Sequence, residues 1–213
     1  MSKVLITQPN FDYTTRYISV WANFVVGLAK KKRIEVVCLK SKRANRKEFQ
    51  SVVMKIKPRF LFLNGHGNER AVAGQNNEIL VGVRDTKAIL KKKIVYALTC
   101  SSAKMLGRKS VKDGTDAYLG YDEDFIFFYD EKCRTRPKND LTAKLFLDPS
   151  NAIPISLLKG HPTGRAYENS QSMYKKIVVQ LLGSQSSEDR TYLKYLIWDM
   201  TNQVCLGNKK AAI

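Results

Sequence analysis

The sequence predicts an α/β fold in which a mostly parallel central sheet is covered by helices on both faces. Through the first two-thirds of the chain, short runs rich in β-branched residues alternate with helical patterns, as in a parallel sheet with crossover helices. From Leu141 onward the pattern becomes helical. A chain of 213 residues with 44% hydrophobic residues is large enough to bury such a core.

Five core strands are expected, because five short apolar runs are each bounded by polar or turn-forming residues. They cover residues 3–7, 34–39, 59–64, 93–99 and 116–121. A shorter extended run follows the third strand at 79–83. The third and fourth strands are predicted to be fully buried, since they are apolar almost throughout.

Apolar residues spaced three and four apart predict the helices. Between the strands they cover 14–28, 46–56 and 85–90, and Pro58 ends the second of them. In the last third a helical segment begins at Leu141 and is punctuated by prolines as far as Pro154. Two long helices are then expected over 163–182 and 188–204.

No internal repeat or clear linker divides the chain, and "RTRPKND" at 134–140 is the nearest approach to a boundary. All the predicted strands precede this point. We therefore expect one unit over 1–213, with an α/β core over 1–135 and a mainly helical portion over 136–213 that packs on it.

Composition excludes several classes of protein. No apolar run approaches the roughly 18–20 residues that cross a bilayer, and "MSKVLITQPNF" lacks the apolar segment of a signal peptide. Four cysteines without C-x-x-C pairs and only two histidines argue against a structural zinc site and a disulfide-stapled secreted domain. We expect a cytoplasmic protein without membrane contact, metal or cofactor.

The charge is strongly basic and unevenly distributed. Lys and Arg number 37 against 19 Asp and Glu, a net charge of +18. Residues 30–59 contain twelve Lys/Arg and two Glu, whereas 116–131 contain six Asp/Glu and no Lys/Arg. Such a surplus favours nucleic acid or another acidic partner, although a well-solvated lysine-rich surface explains it equally. No base-stacking motif accompanies the charge, so the nucleic-acid interpretation depends on charge alone.

Two reactive side chains follow consecutive core strands. His66 lies in "NGHG" after the third strand, and Cys100 follows the fourth in "YALTCSSAKMLG". Because chemistry gathers at the carboxyl ends of parallel strands, neighbouring strands would bring the imidazole and the thiol together as a Cys–His pair. Cys100 also precedes a short helix, whose dipole is expected to lower the pKa of the thiol.

Backbone amides near this pair are candidates for an oxyanion hole. The glycines beside His66 allow close approach of a substrate, and the amides of Gly67 and Cys100 are positioned to donate to a carbonyl oxygen between them. The other cysteines are expected to be structural: Cys38 inside a strand, Cys133 in a basic loop and Cys205 near the end of the last helix.

The order of these parts resembles the caspase-like cysteine peptidases, a superfamily that includes caspases, gingipains, clostripain, separase and the bacterial CHAT domains. "RFLFLNGHGN" resembles its His-Gly block and "KIVYALTCSSAKMLG" its Cys block. The small residues after Cys100 and the later "GTDAYLGYDED" are most similar to the separase and CHAT branch, and the Q-A-C-x-G signature of caspases is absent. The resemblance covers about residues 1–135.

The resemblance implies a caspase-like three-layer sandwich and peptide-bond hydrolysis through a thioester. Cys100 would be the nucleophile and His66 the general base or acid, without a required third residue. By position, Asp122 or Asp124 would line the pocket for the residue before the cut. A basic residue is then expected there, arginine rather than lysine because its planar fork pairs bidentately with a carboxylate. Alternatively, "DEDF" is an exposed turn.

Three function classes stay open at this point. The favoured one is an endopeptidase that acts on a protein or peptide, with an adaptor or sensor protein as a further partner. The second is a catalytically silent CHAT-type interaction module. The third is a nucleic-acid-binding protein that uses residues 30–59.

Overall fold

The computed structural model describes residues 3–213, so the first two residues of the predicted 1–213 unit lie outside it. Nine strands are present in this range: β1 (Lys3–Gln8), β2 (Glu35–Lys40), β3 (Phe60–Asn64), β4 (Gly67–Asn68), β5 (Ala71–Ala73), β6 (Ile79–Gly82), β7 (Ile94–Leu98), β8 (Ala117–Tyr121) and β9 (Gln203–Gly207). Six of them form the central sheet in the order β2-β1-β3-β7-β8-β9, and β4-β5-β6 form a small antiparallel sheet.

The central sheet is mostly parallel, as the sequence predicts. The pairs β1–β2, β1–β3, β3–β7 and β7–β8 are parallel, and only the edge pair β8–β9 is antiparallel. Parallel strands require crossover connections, and helices supply most of them. The result is a mixed α/β fold.

Seven α-helices connect and cover the strands of the described range. They are α1 (Tyr13–Lys31), α2 (Arg46–Ile56), α3 (Thr86–Ile89), α4 (Arg108–Lys112), α5 (Leu141–Leu158), α6 (Thr163–Leu182) and α7 (Ser187–Asn202). A π-helical turn, Ala103–Gly107, precedes α4. Helix α5 continues through Pro149 and Pro154, which the sequence places in an interrupted stretch.

The two faces of the sheet bury separate apolar layers, because successive side chains of a strand point to opposite faces. Ile6, Phe62 and Tyr96 lie on the face covered by α1 and α5. Leu61 and Val95 lie on the other face with α2 and the small sheet. All five are fully buried, and burying a large apolar side chain contributes about 1.5–3 kcal/mol. The sheet is thus the middle of three layers.

The C-terminal region contains a strand that the sequence prediction missed. Residues 203 and 204 were expected to end the last helix, but α7 ends at Asn202 and β9 follows at once. The expectation that every strand precedes residue 136 is therefore wrong. Cys205 lies in β9 opposite Leu119 of β8, not in a helix. Residues 203–207 form a strand because pairing with β8 satisfies the backbone hydrogen-bonding groups of β9.

Helices α5, α6 and α7 pack on one another around Phe146, Tyr174 and Leu196. Leu157 of α5 and Ala166 of α6 also join the apolar layer under the sheet. No helix within residues 3–213 is both long enough and apolar enough to cross a membrane.

Candidate active site

His66 and Cys100 follow neighbouring parallel strands at equivalent positions. In the β3–β7 pair Asn64 lies opposite Leu98, and each reactive residue stands two positions beyond its strand's last paired residue. Because both strands run in the same direction, both residues emerge at the carboxyl edge of the sheet. The neighbouring-strand arrangement that the Cys–His interpretation requires is present.

The loop after His66 packs directly against the loop that carries Cys100. A Cβ atom added to Gly67 would lie 2.9 Å from Cβ of Thr99 and 3.0 Å from the carbonyl oxygen of Cys100. The amide of Leu106 donates to the Glu69 carbonyl at 2.8 Å. Lys104 Nζ lies 2.9 Å from Glu69. Only glycine fits at position 67 without moving one of the two loops.

The Gly67 amide is oriented away from its partner strand. Gly67 lies opposite Val72 in the β4–β5 pair, and the Ala73 amide donates to the His66 carbonyl at 2.9 Å. Hydrogen-bonded and non-hydrogen-bonded pairs alternate along an antiparallel ladder, so Gly67 occupies a non-hydrogen-bonded pair. Its N–H therefore points away from β5, as a donor to a ligand must.

A carboxylate that sequence reasoning did not select is bound to His66. Nε2 of His66 lies 2.6 Å from Oδ2 of Asp12. The same carboxylate caps α1, since its Oδ1 accepts from the Thr15 amide at 2.7 Å. Partial burial opposes ionisation of Asp12, but the bonds from Thr15 and His66 outweigh it and lower the pKa of Asp12. An ionised Asp12 holds Nε2 of the imidazole and leaves Nδ1 free for another partner.

Asp12 had a detectable signal in the sequence. It follows β1, a strand next to β3 in the sheet, and Asp12 and Thr15 form a capping box, a pattern that marks helix starts. The capping box accounts for the contact of Asp12 Oδ1 with Thr15. The contact of the other oxygen with His66, 54 residues away, has no local signature.

The Cys100 thiol is covered by backbone that follows β8. Cys100 Sγ donates to the Phe125 carbonyl at 3.9 Å, a sulfur contact within the weak hydrogen-bond range. The Ser101 amide donates to the Glu123 carbonyl at 3.0 Å. The Ser101 hydroxyl donates to Oδ1 of Asp124 at 2.6 Å. We call residues 122–126 the covering segment.

The covering segment is also held from its other side by α7. Trp198 Nε1 donates to the Asp124 carbonyl at 2.9 Å, and the Ile126 amide donates to Oδ1 of Asp199 at 3.0 Å. Asp199 is fully buried, and this burial raises the pKa of its carboxyl well above the ordinary value. The role of Asp199 in holding Ile126 was also not predicted from the sequence. Helix α7 thus fixes the segment over the thiol.

The expected lowering of the Cys100 pKa is wrong. Burial of the thiol, followed by the nearby Asp124 carboxylate, raises the pKa of Cys100 to about 11. Backbone geometry weakens the expected helix effect, since Ser101 has a φ of 48° and the next residues form a π-helical turn. Cys100 therefore does not stand at the start of a regular α-helix.

The two candidate substrate-binding carboxylates have different surroundings. Oδ2 of Asp122 accepts from Arg108 at 2.7 Å. Asp124 is exposed and bonds to Ser101, the residue after Cys100. Of these two carboxylates, Asp124 is the one that acts on the Cys100 pKa. The structure thus places Asp124 beside the thiol and turns Asp122 toward an arginine of the chain itself.

The raised thiol pKa predicts how Cys100 reacts in the absence of substrate. Iodoacetamide attacks the thiolate, so the alkylation rate at Cys100 is expected to rise about tenfold per pH unit from pH 7 and to level off near pH 11. Peptide-level mass spectrometry separates Cys100 from the other three cysteines in one digest. A rate that is already maximal at pH 7 would contradict the covered, neutral thiol.

Comparisons with known proteins identify the fold. No protein-family model matches the sequence, and no curated protein matches it significantly. The crystal structure of the Arg-specific cysteine proteinase gingipain R (RgpB) superposes with a TM-score of 0.63 at 10% identity, covering 100% of this chain and 47% of that chain. The complex of the Porphyromonas gingivalis RgpB pro- and mature domains gives 0.60 at 11% identity, covering 100% and 48%. The chain has the caspase-like fold of these structures and spans about half their length.

Proposed function

We propose that this chain, which shares a caspase-like fold with cysteine proteinases, is itself a cysteine endopeptidase. One observation carries the proposal: neighbouring strands deliver His66, bound to Asp12, and Cys100 to one edge of the sheet, where Gly67 packs on the Cys100 loop. This is the arrangement of a nucleophile, a base and a group that orients the base.

The reaction would proceed in two steps. His66 removes the proton of Cys100, and the sulfur attacks the scissile carbonyl carbon. The C–N bond then breaks, the imidazolium gives its proton to the leaving amine, and a thioester remains. Water, deprotonated by His66, attacks the thioester, and the carboxylic acid product leaves as the thiol is restored. Asp12 stabilises the imidazolium that forms in both steps.

The amides of Gly67 and Cys100 are proposed as the oxyanion hole. The Gly67 N–H points away from β5, and Gly67 lies against the Cys100 loop. Each donor of such a pair contributes about 2.7–4 kcal/mol to transition-state stabilisation. No side chain is needed for this role.

The Phe125 carbonyl of the covering segment must leave the Cys100 thiol before catalysis begins. A thiol with a pKa of about 11 is almost entirely neutral at pH 7, and Phe125 occupies the space next to it. Binding of the substrate, or of an adaptor protein, would displace the Phe125 carbonyl from Sγ and leave Asp124 beside Cys100. The RgpB complex of pro- and mature domains is a precedent for association of this fold with a further protein region.

The substrate is proposed to carry a basic residue before the cut, arginine rather than lysine. Asp124 is exposed and lies beside the nucleophile, so its free Oδ2 is available to a guanidinium. A cation there would also offset the charge that raises the Cys100 pKa. Asp122 is a weaker candidate, because Arg108 already binds it. The four free cysteines suit a reducing, cytoplasmic setting.

A mixed peptide library tests the function and the specificity together. We expect cuts after Arg, fewer after Lys, and about tenfold or greater loss of Arg cleavage in Asp124→Asn. Asp130→Asn is the matched control, since it removes an exposed carboxylate outside the covering segment. Cuts mainly after apolar or acidic residues would overturn the proposed specificity, and no cuts after any residue, with candidate adaptor proteins added, would overturn the proposed peptidase activity.

The covered thiol favours a second candidate, a catalytically silent interaction module. The Phe125 carbonyl on Sγ and the raised Cys100 pKa describe a resting state without a reactive thiolate. A module of this kind would leave the library intact even with candidate adaptor proteins added.

A further inference from the structure

We propose that the edge of the sheet opposite the candidate active site binds the phosphate backbone of double-stranded nucleic acid. The site is a cationic surface, here called the amino-edge face, made by residues that precede the parallel strands and by the C-terminal segment. Its members are Lys32, Arg33, Lys57, Lys91, Lys92, Lys93, Lys209 and Lys210.

The topology of the sheet brings these residues to one edge. Lys32 and Arg33 precede β2, Lys57 precedes β3, and the lysines at 91–93 precede β7. Parallel strands all begin at the same edge, so their leading segments are neighbours. Strand β9 is antiparallel to β8, and its end therefore delivers 209–210 to that edge. The carboxyl edge, with Cys100 and His66, lies at the far end of the strands.

Arg59 joins these segments by direct contacts. Its amide donates to the Lys3 carbonyl at 2.9 Å. Its guanidinium donates to the Lys92 carbonyl at 2.9 Å and to the Ala212 carbonyl at 3.2 Å. The leading segments of β1, β3 and β7 and the C-terminus thus form one continuous surface around Arg59.

The eight cations of the amino-edge face are not paired with carboxylates of the described chain. Among residues 3–213 three carboxylates near this edge pair with cations other than the eight members: Glu35 with Lys3, Asp116 with Arg59 and Asp113 with Lys109. None of the eight members of the amino-edge face forms an ion pair within this range.

The cations at this edge lie close enough to act on one another. Burial of Lys93, together with the charges of Arg59 and Lys57, lowers the pKa of the Lys93 ammonium. The C-terminal ends of α1 and α2 offset part of the charge near Lys32 and Lys57. In the part of the chain that the structure describes, no helix of eight residues or more ends at 91–93 or 209–210, so those five cations have no such compensation.

The side chains around the face favour a duplex over other polyanions. Apart from Met54, three residues before Lys57, the large exposed apolar side chains of the described chain belong to other segments. An anionic membrane surface is usually bound by cations together with several apolar groups that enter the interface. The large exposed aromatic side chains of the described chain, on which single-stranded bases could stack, are Tyr13, Phe24 and Trp198, and they lie in α1 and α7 outside these segments. A cluster of flexible ammonium groups suits regularly spaced phosphates, read without sequence preference.

Fluorescence anisotropy with a labelled DNA duplex of about 20 base pairs tests the proposal across a salt series. The variant is Lys57→Gln/Lys91→Gln/Lys92→Gln, and the control is Lys175→Gln/Lys176→Gln/Lys194→Gln, three exposed lysines of α6 and α7. At about 0.1 M salt the first triple is expected to weaken binding at least tenfold, and its log–log salt slope to shrink by about two to three. The control keeps most of the affinity.

Three results would overturn the proposal. They are no duplex binding at about 50 mM salt, equal losses in the two triple variants, and binding to phosphatidylserine vesicles without binding to the duplex. Cys100→Ala is expected to bind like the unaltered chain. Duplex binding is therefore measured independently of the proposed peptidase, and neither result decides the other.

Discussion

Replacing Cys100 with alanine is expected to lower kcat/KM for an arginyl reporter peptide by about 10³-fold or more, because the variant has no atom that can form the thioester. The fold is expected to persist, since Cys100 is half-buried in a loop and donates only one weak hydrogen bond, to Phe125. Steady-state kinetics with the reporter, at matched protein concentrations, measure the effect.

The control for this substitution is Cys133→Ala, which removes a half-buried thiol from the turn Glu131–Cys133, outside the loop that carries Cys100. Its kcat/KM is expected to stay within about twofold of the unaltered chain. A Cys100→Ala variant that kept more than a tenth of the activity would show that another group is the nucleophile.

The second large effect is expected at Asp12, whose carboxylate orients His66. Asp12→Asn should lower kcat/KM about 10- to 100-fold, since the imidazolium loses the charge that stabilises it. Helix α1 should remain intact, because asparagine caps helices as well as aspartate does. Thr15→Ser, which keeps the capping hydroxyl, is the control. Equal activity of the two variants would exclude a role for the carboxylate beyond the cap.

The pH dependence of stability reports on the Asp12 carboxylate separately from activity. The pKa of Asp12 in the folded chain lies below the ordinary 3.8, so its ionisation stabilises the fold above about pH 3.8, and this contribution is lost as the pH falls through the lowered pKa. The Asp12→Asn variant has no carboxyl to titrate at this position. The difference in melting temperature between the unaltered chain and Asp12→Asn should therefore shrink in acid, and a difference that stayed constant down to about pH 2 would contradict the lowered pKa.

Elements of the fold can be predicted from the sequence where local residues determine them. Helix α2 was predicted over 46–56 and occupies those residues, because the Asn45 cap and Pro58 mark its ends locally. Strand β9 lacks such marks. "QVCLG" continues the helical spacing of α7, and only its pairing with β8 makes it a strand. The paired residues Tyr121 and Gln203 are 82 positions apart in the chain.

The candidate site also combines residues that the sequence predicts with contacts that only the fold creates. His66 and Cys100 could be selected from the sequence, because the apolar pattern shows where the strands before them end. The environment of the thiol cannot be predicted in this way, since Phe125 and Asp124 reach Cys100 only through the fold. Burial of the thiol and the charge of Asp124 reverse the expected direction of the Cys100 pKa shift. The bond between Asp12 and His66 likewise connects two strand ends that no local pattern relates.

The most direct test of the central claim is the location of a covalent adduct. An acyloxymethyl ketone carrying arginine is incubated with the chain, and intact mass followed by peptide mapping identifies the modified residue. We expect one adduct, on Cys100, that is lost in His66→Ala and kept in Cys38→Ala. An adduct confined to Cys133 or Cys205, or equal labelling of Cys100 with and without His66, would contradict a Cys100–His66 peptidase.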